Sequence, residues 1–227
     1  MIERGLEAVL AEVAAAAARA GRDPHQVGLV AVSKRHDAGA IEVAARAGQR
    51  VFGESYAQEL AAKAPQVKEP VEWHFIGTLQ RNKVKLVVGV ASLIHAVDSE
   101  RLARALEQRA AGLEIVQPVL IEVNIGGEAQ KGGVQPAATE RLVAIIRDLP
   151  HLRLDGLMTM PPFADQPEVN RAHFRALRTL RDRLATLASP LPVLSMGTSA
   201  DYVVAVEEGA TLIRVGTAIF GSREAPL

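Results

Sequence analysis

"VGLVAVSKRHDAGAIEVAARAGQRVFGE", residues 27–54, reads as a strand, a helix and a second strand with short joints between them. Residues 27–34 are apolar and small up to a terminal lysine, as in a strand buried on both faces. Residues 38–48 carry apolar side chains at three- and four-residue spacing, the pattern of a helix lying on a sheet. "RVFGE" (50–54) starts the next β-rich run.

The unit repeats along the chain. Further β-rich runs are "WHFIG" (73–77), "LIHAVD" (93–98), "VLIEVN" (119–124), "LDGLMTM" (154–160), "VLSMG" (193–197) and "TLIRVG" (211–216), with helical patterns such as "SERLARALEQRAAG" between them. Helix-start signals follow several runs directly: Ser55 with Gln58 as a capping box, Asp98 and Ser99, and Thr198 with Asp201. Eight strands alternating with helices predict an α/β fold: a single closed (β/α)8 TIM barrel. One extra amphipathic helix precedes it, built on Ile2, Leu6, Val9, Leu10 and Val13. An open doubly wound sheet is the alternative. Without a Ser/Gly-rich linker or a break in composition, residues 1–227 are expected to form one domain; 125–135 is the most loop-like insertion.

Composition narrows the function. Lys+Arg and Asp+Glu balance at 26 each, which leaves no excess charge for a nucleic acid or an anionic membrane surface. The chain has no cysteine, and its six histidines fall into no ligand spacing, so no metal site is expected. The acidic N-terminal helix does not resemble an export signal, and no apolar run is long enough for a membrane helix. A cytoplasmic protein is expected.

Barrel sites gather at the C-terminal ends of the strands. That rule brings Lys34, Glu54, Gly77, Asp98, Asn124, Met160, Gly197 and residues 214–217 to one mouth. Strand alternation gives Lys34 the parity of Val30 and Val32, so its ammonium would enter the mouth. Such a lysine is either a structural cation paired to a carboxylate or, with its pKa lowered by desolvation, a nucleophile for aldehydes. "SMGTSAD" (195–201) and "RVGTAIFG" (214–221) follow the seventh and eighth strands with glycines, hydroxyls and helix starts, where these barrels commonly seat a phosphate. A lysine facing a phosphate cradle suggests a phosphorylated aldehyde, of which pyridoxal 5′-phosphate is the commonest cofactor. A sugar-phosphate barrel enzyme remains the other reading. Glu54 and Asp98 could act as acid and base, or could pair with Lys34, Arg214 or Lys83. His74 could meet the cofactor or be a satisfied core residue, and Lys131 could be a second amine or a solvated loop lysine.

The blocks "AVSK", "FGESYAQEL", "WHFIGTLQRNKVK", "VLIEVNIGGEAQKGGV", "LDGLMTM", "LSMGTSADYVVAVEEGAT" and "LIRVGTAIFG" resemble, in order, those of the pyridoxal phosphate homeostasis family, over about residues 27–221. The resemblance implies a barrel related to the N-terminal domain of alanine racemase, holding pyridoxal phosphate as an aldimine on Lys34 and taking part in intracellular vitamin B6 homeostasis. It further implies cofactor contacts at Ser55, His74, Ser195, Ser199, Gly216 and Thr217, with Arg214 against the pyridine nitrogen. A monomer is expected, with apo-enzymes that use the cofactor as recipients and no catalytic residue of its own. A weak amino-acid racemase or lyase, using Lys34 and one of Glu54, His74 or Tyr56, is the rival. Three positions depart from the family's pattern: Ser55 replaces an asparagine, Thr78 a proline and Thr198 a methionine.

Overall fold

In a computed structural model that describes residues 1–128 and 132–221, eight parallel strands close into a barrel in the order β1 to β8. The strands are β1 (Gly28–Val32), β2 (Val51–Glu54), β3 (Glu72–Phe75), β4 (Leu93–Val97), β5 (Gln117–Glu122), β6 (Leu152–Met158), β7 (Val193–Thr198) and β8 (Leu212–Val215). Eight helices accompany them among the described residues: α1 (Ile2–Arg19), α2 (Ala38–Arg46), α3 (Ala57–Lys63), α4 (Glu100–Ala111), α5 (Pro136–Arg147), α6 (Arg171–Leu184), α7 (Tyr202–Glu207) and α8 (Thr217–Phe220). After β3 a 3-10 turn, Arg81–Leu86, takes the place of a longer helix.

The main core lies between the strands and the helices. Phe52 and Phe75 on the outer face of the barrel belong to this core, with Leu60, Leu106, Ile146 and Phe174 from the helices, all fully or nearly fully buried. Inside the barrel a smaller cluster of Leu93, Ala96, Leu120 and Met158, with Val193 and Leu212 against it, forms an apolar floor. The division follows from strand alternation, which sends successive side chains to opposite faces. In β4 the pairing with β5 shifts between Ile94 and Val97, and adjacent residues His95 and Ala96 both turn into the barrel.

The extra helix is present and amphipathic. Leu6, Val9 and Val13 are buried, whereas Leu10, expected on the same face, is exposed. Helix α1 packs on α7 and α8. Tyr202 donates its hydroxyl to Glu12 at 2.6 Å, and Arg22 donates to the carbonyls of Val206 and Ala210. Among the described residues no helix is long and apolar enough to cross a membrane.

Several local expectations change. Strand β1 stops at Val32, so Lys34 is not a strand residue but sits in the turn that follows, with Arg35 in the left-handed region at φ 66°. The capping box at Ser55 is not formed: Tyr56 occupies the N-cap of α3, with no side-chain cap. Ser99 does cap α4. Thr198 and Asp201 form only half of the expected capping box: the Thr198 N–H and hydroxyl both donate to Asp201 Oδ1, at 2.7 and 3.1 Å, but Asp201 itself takes the N-cap of α7, with no side-chain cap.

Candidate functional site

The C-terminal ends of the strands surround a cavity of about 430 Å³, a size typical of small-ligand and cofactor sites. Lys34 reaches it from the β1 turn, Ser55 and Tyr56 from β2, Ile76, Gly77 and Thr78 from β3, Glu122 from β5 and Met160 from β6. Gly77 is required by close approach, since a Cβ there would lie 2.2 Å from the Ser55 carbonyl oxygen. Lys34, Gly77 and Met160 thus meet at the mouth, as the strand-end rule predicts, with Ser55 beside them.

One rung deeper, a chain of buried polar groups crosses the barrel. Arg214 Nη1 donates to Ser195 Oγ at 2.5 Å, and Arg214 Nη2 to the Thr159 carbonyl at 2.8 Å. Ser195 Oγ lies 2.9 Å from His95 Nδ1, and His95 Nε2 lies 3.0 Å from His74 Nδ1. Burial pushes His74 down to about 4 and His95 well below its ordinary range, with Arg214 adding to the effect on His95, so both imidazoles are neutral at pH 7. One proton order gives every donor in the chain an acceptor: Ser195 O–H to His95 Nδ1, His95 Nε2–H to His74 Nδ1, and the remaining His74 proton on Nε2. The opposite order leaves the Ser195 hydroxyl without an acceptor among the described residues. Arg214 is pushed down to about 10 by burial, so it remains a cation, with Glu122 and Asp201 opposing the shift.

On the β7–β8 side, Gly216 N–H donates to Ser199 Oγ at 3.2 Å, joining the two predicted phosphate loops. That bond leaves the Ser199 hydroxyl proton free to donate outward. The N–H groups of Ser199, Ala200, Thr217 and Ala218 have no acceptor among the described residues. Gly197 allows the turn: it adopts φ +91°, and a Cβ there would press within 2.6 Å of Ala205 Cβ. The result is a concentration of N–H and O–H donors with a buried cation beside it, as an anion requires.

The eight predicted cofactor residues therefore fall into three groups. Lys34 and Ser55 line the cavity; His74, Ser195 and Arg214 form the buried chain with His95; Ser199, Gly216 and Thr217 make the donor cluster. Glu54 is not at the mouth. It points to the outer face and is held by Lys63 at 2.6 Å and Ser33 at 2.7 Å, not by Lys34, Arg214 or Lys83. Asp98 accepts from Ser99, and Asn124 exchanges hydrogen bonds with the backbone of Glu128 to brace the loop after β5. Lys131 lies outside the described residues. Among the described residues no group of three His, Cys, Asp or Glu side chains could hold a metal.

Two contributors escape sequence reasoning. Glu122 lines the cavity, its carboxyl pushed up by burial and by Asp98 and held back by Arg214. Its parity with the inward Leu120 was the available signal. His95 completes the buried chain, but the β4 irregularity hides its direction.

A family model for the N-terminal domain of alanine racemase matches residues 5–224. A pyridoxal phosphate homeostasis protein of Aquifex aeolicus is 45% identical over 221 residues, 96% of this chain and 97% of that protein. An unknown protein from Bifidobacterium adolescentis superposes with a TM-score of 0.91 at 38% identity, covering 96% of this chain and 94% of that one. PipY of Synechococcus elongatus, solved with pyridoxal phosphate bound, superposes with a TM-score of 0.83 at 34% identity, covering 97% of this chain and all of that one. Matched in sequence and in fold over nearly its whole length, the chain belongs to the pyridoxal phosphate homeostasis proteins, a family built on the alanine racemase N-terminal domain.

Proposed function

We propose that this protein holds pyridoxal phosphate covalently through Lys34 and takes part in balancing the vitamin B6 pool. The observation that carries the reading is the Lys34 amine on a ligand-sized cavity, at the same C-terminal end of the barrel as the donor cluster joined at Gly216 and Ser199. Bound there, the cofactor would supply an aldehyde that condenses with a primary amine, releasing water.

The protein's residues divide the remaining work. The Ser199 hydroxyl and the N–H groups of residues 199, 200, 217 and 218 match a phosphate dianion in number and polarity. Arg214, fixed by Ser195 and the Thr159 carbonyl, opposes protonation of any basic nitrogen brought against it. That favours holding the cofactor over using it as an electron sink. Ser55 and Thr78 offer hydroxyls along one wall, and neutral His74 offers a donor beneath it. In this reading the protein is a monomer of the cytoplasm, and apo-enzymes that need the cofactor are its recipients.

Borohydride reduction of the cofactor-loaded protein, followed by peptide mass mapping, tests the proposal. The adduct is expected on Lys34. Lys34→Ala is expected to lose covalent binding while keeping its unfolding midpoint, and normal trapping in that variant would refute the assignment. Incubation with a panel of amino acids addresses the racemase or lyase reading. Of the side chains considered for it, Glu54 is remote and His74 is committed to His95, leaving Tyr56 at the cavity wall. Steady turnover lost in Tyr56→Phe would displace the carrier role.

A further inference from the structure

The turn carrying Lys34 is gripped on both sides by side chains from β2 and α3. On the residue before it, Ser33 Oγ donates to Glu54 Oε1 at 2.7 Å, and Lys63 Nζ donates to the Ser33 carbonyl at 3.0 Å. On the residue after it, Arg35 N–H donates to Glu59 Oε1 at 2.5 Å. Lys63 joins the two grips, donating to Glu54 Oε1 at 2.6 Å and to Glu59 Oε1 at 2.7 Å. The His36 N–H closes the turn on the Ser33 carbonyl at 3.1 Å.

This is a costly way to gain stability alone. Glu54 is wholly buried with its second oxygen unpaired, and Lys63 is buried beside it. Well-packed apolar residues often serve stability as well as a buried ion pair does. The network also holds Arg35 at φ 66°, a conformation disfavoured for a residue with a side chain. Five side-chain bonds end on the backbone or hydroxyl of residues 33 and 35, or link the groups that make them.

We propose that Lys63, Glu54 and Glu59 are positioning residues that hold the Lys34 amine over the mouth in the geometry needed for attack on an aldehyde. Lys63 is the pivot, because it alone contacts both carboxylates and the turn. The inference rests on Lys34 being the attachment residue.

The test compares wild type with Lys63→Met/Glu54→Gln, Glu59→Ala and Glu59→Gln. Three quantities are measured: the rate of covalent loading with pyridoxal phosphate, the share of reduced adduct on Lys34 by mass mapping, and the unfolding midpoint without cofactor. The double variant and Glu59→Ala are expected to load about 10- to 100-fold more slowly. A larger share of their adduct should fall on other lysines, at a midpoint close to wild type. Glu59→Gln keeps an acceptor for the Arg35 N–H and should load nearly as wild type. Unchanged rates and an unchanged Lys34 share in the folded variants would overturn the proposal, as would slowing only in proportion to the unfolded fraction. Should the double variant fail to fold, Glu59→Ala decides, because Glu59 is only part-buried. Wild type lacking an adduct on Lys34 would overturn the attachment reading itself and this inference with it. Wild type that loads beside variants that load equally well would overturn the positioning role alone.

Discussion

Two buried polar clusters lie a few residues apart on β2 and β3, one inside the barrel and one outside, and they are built on opposite principles. Gly53 pairs with His74 and Glu54 with Phe75, so one step along the strand passes from the interior to the outer face. Inside, the cation Arg214 bonds only to neutral groups, Ser195 and the Thr159 carbonyl, and its acidic neighbours Glu122 and Asp201 act without a hydrogen bond to it. Outside, the Lys63 ammonium bonds directly to both Glu54 and Glu59. The inner cluster keeps a positive charge incompletely answered next to a cavity, the condition for receiving an anionic ligand. The outer cluster answers its cation on the spot, and its geometry is all it has to offer.

The largest effect is expected from Lys63→Met alone. It strands the Glu54 carboxylate in the core and should cost about 3–5 kcal/mol in urea unfolding, most of it recovered when Glu54→Gln is added. No comparable recovery is available inside the barrel, where the neutral groups have no charge to remove.

A smaller effect separates the clusters by pH. His74 falls from an ordinary 6.5 to about 4 in the folded protein. A depressed pKa contributes stability that is present above 6.5 and lost as pH falls through 4, here on the order of 3 kcal/mol. His74→Gln should flatten that acid limb in thermal unfolding curves. Glu54 has the opposite sign: burial raises its pKa, so its contribution is present below the ordinary carboxylate range and fades as pH rises past the raised value. His95 is lowered in the same direction, so part of the acid limb should remain in His74→Gln. The least effect is expected from Glu59→Gln, below about 1 kcal/mol in stability because Glu59 is part-exposed.

The barrel was legible because its signal is repeated: eight apolar runs with amphipathic spacers leave few other architectures. The donor cluster at Ser199 and Gly216 was legible because glycine and small hydroxyls after the last two strands have a conformational reason to be there. Lys34 was placed at the mouth, but its strand was drawn two residues too long, since nothing in an arginine at position 35 announces a left-handed turn. Ser55 reads as a cap by composition, yet it lines the cavity while Tyr56, a poor capping residue, takes the N-cap. Glu54 was sent to the wrong face because its partner Lys63 lies on the far end of the next helix, and side-chain pairing across a strand and a helix leaves no local pattern.

The joint of the ring lies between β1 and β8, the first and last strands, with Val30 opposite Arg214 and Ala31 opposite Val215. Gly216 sits directly over Val32 at this joint, and α1 lies across the outside of it on α7 and α8. Contacts between the most distant parts of a chain carry the largest loop-closure penalty and tend to form late. During synthesis the Lys34 turn leaves the ribosome long before β8 exists, and the donors of residues 217 and 218 follow β8. Capture of a phosphate by the proposed cradle is therefore possible only once β8 has closed on β1, which makes cofactor loading a chemical signature of barrel closure.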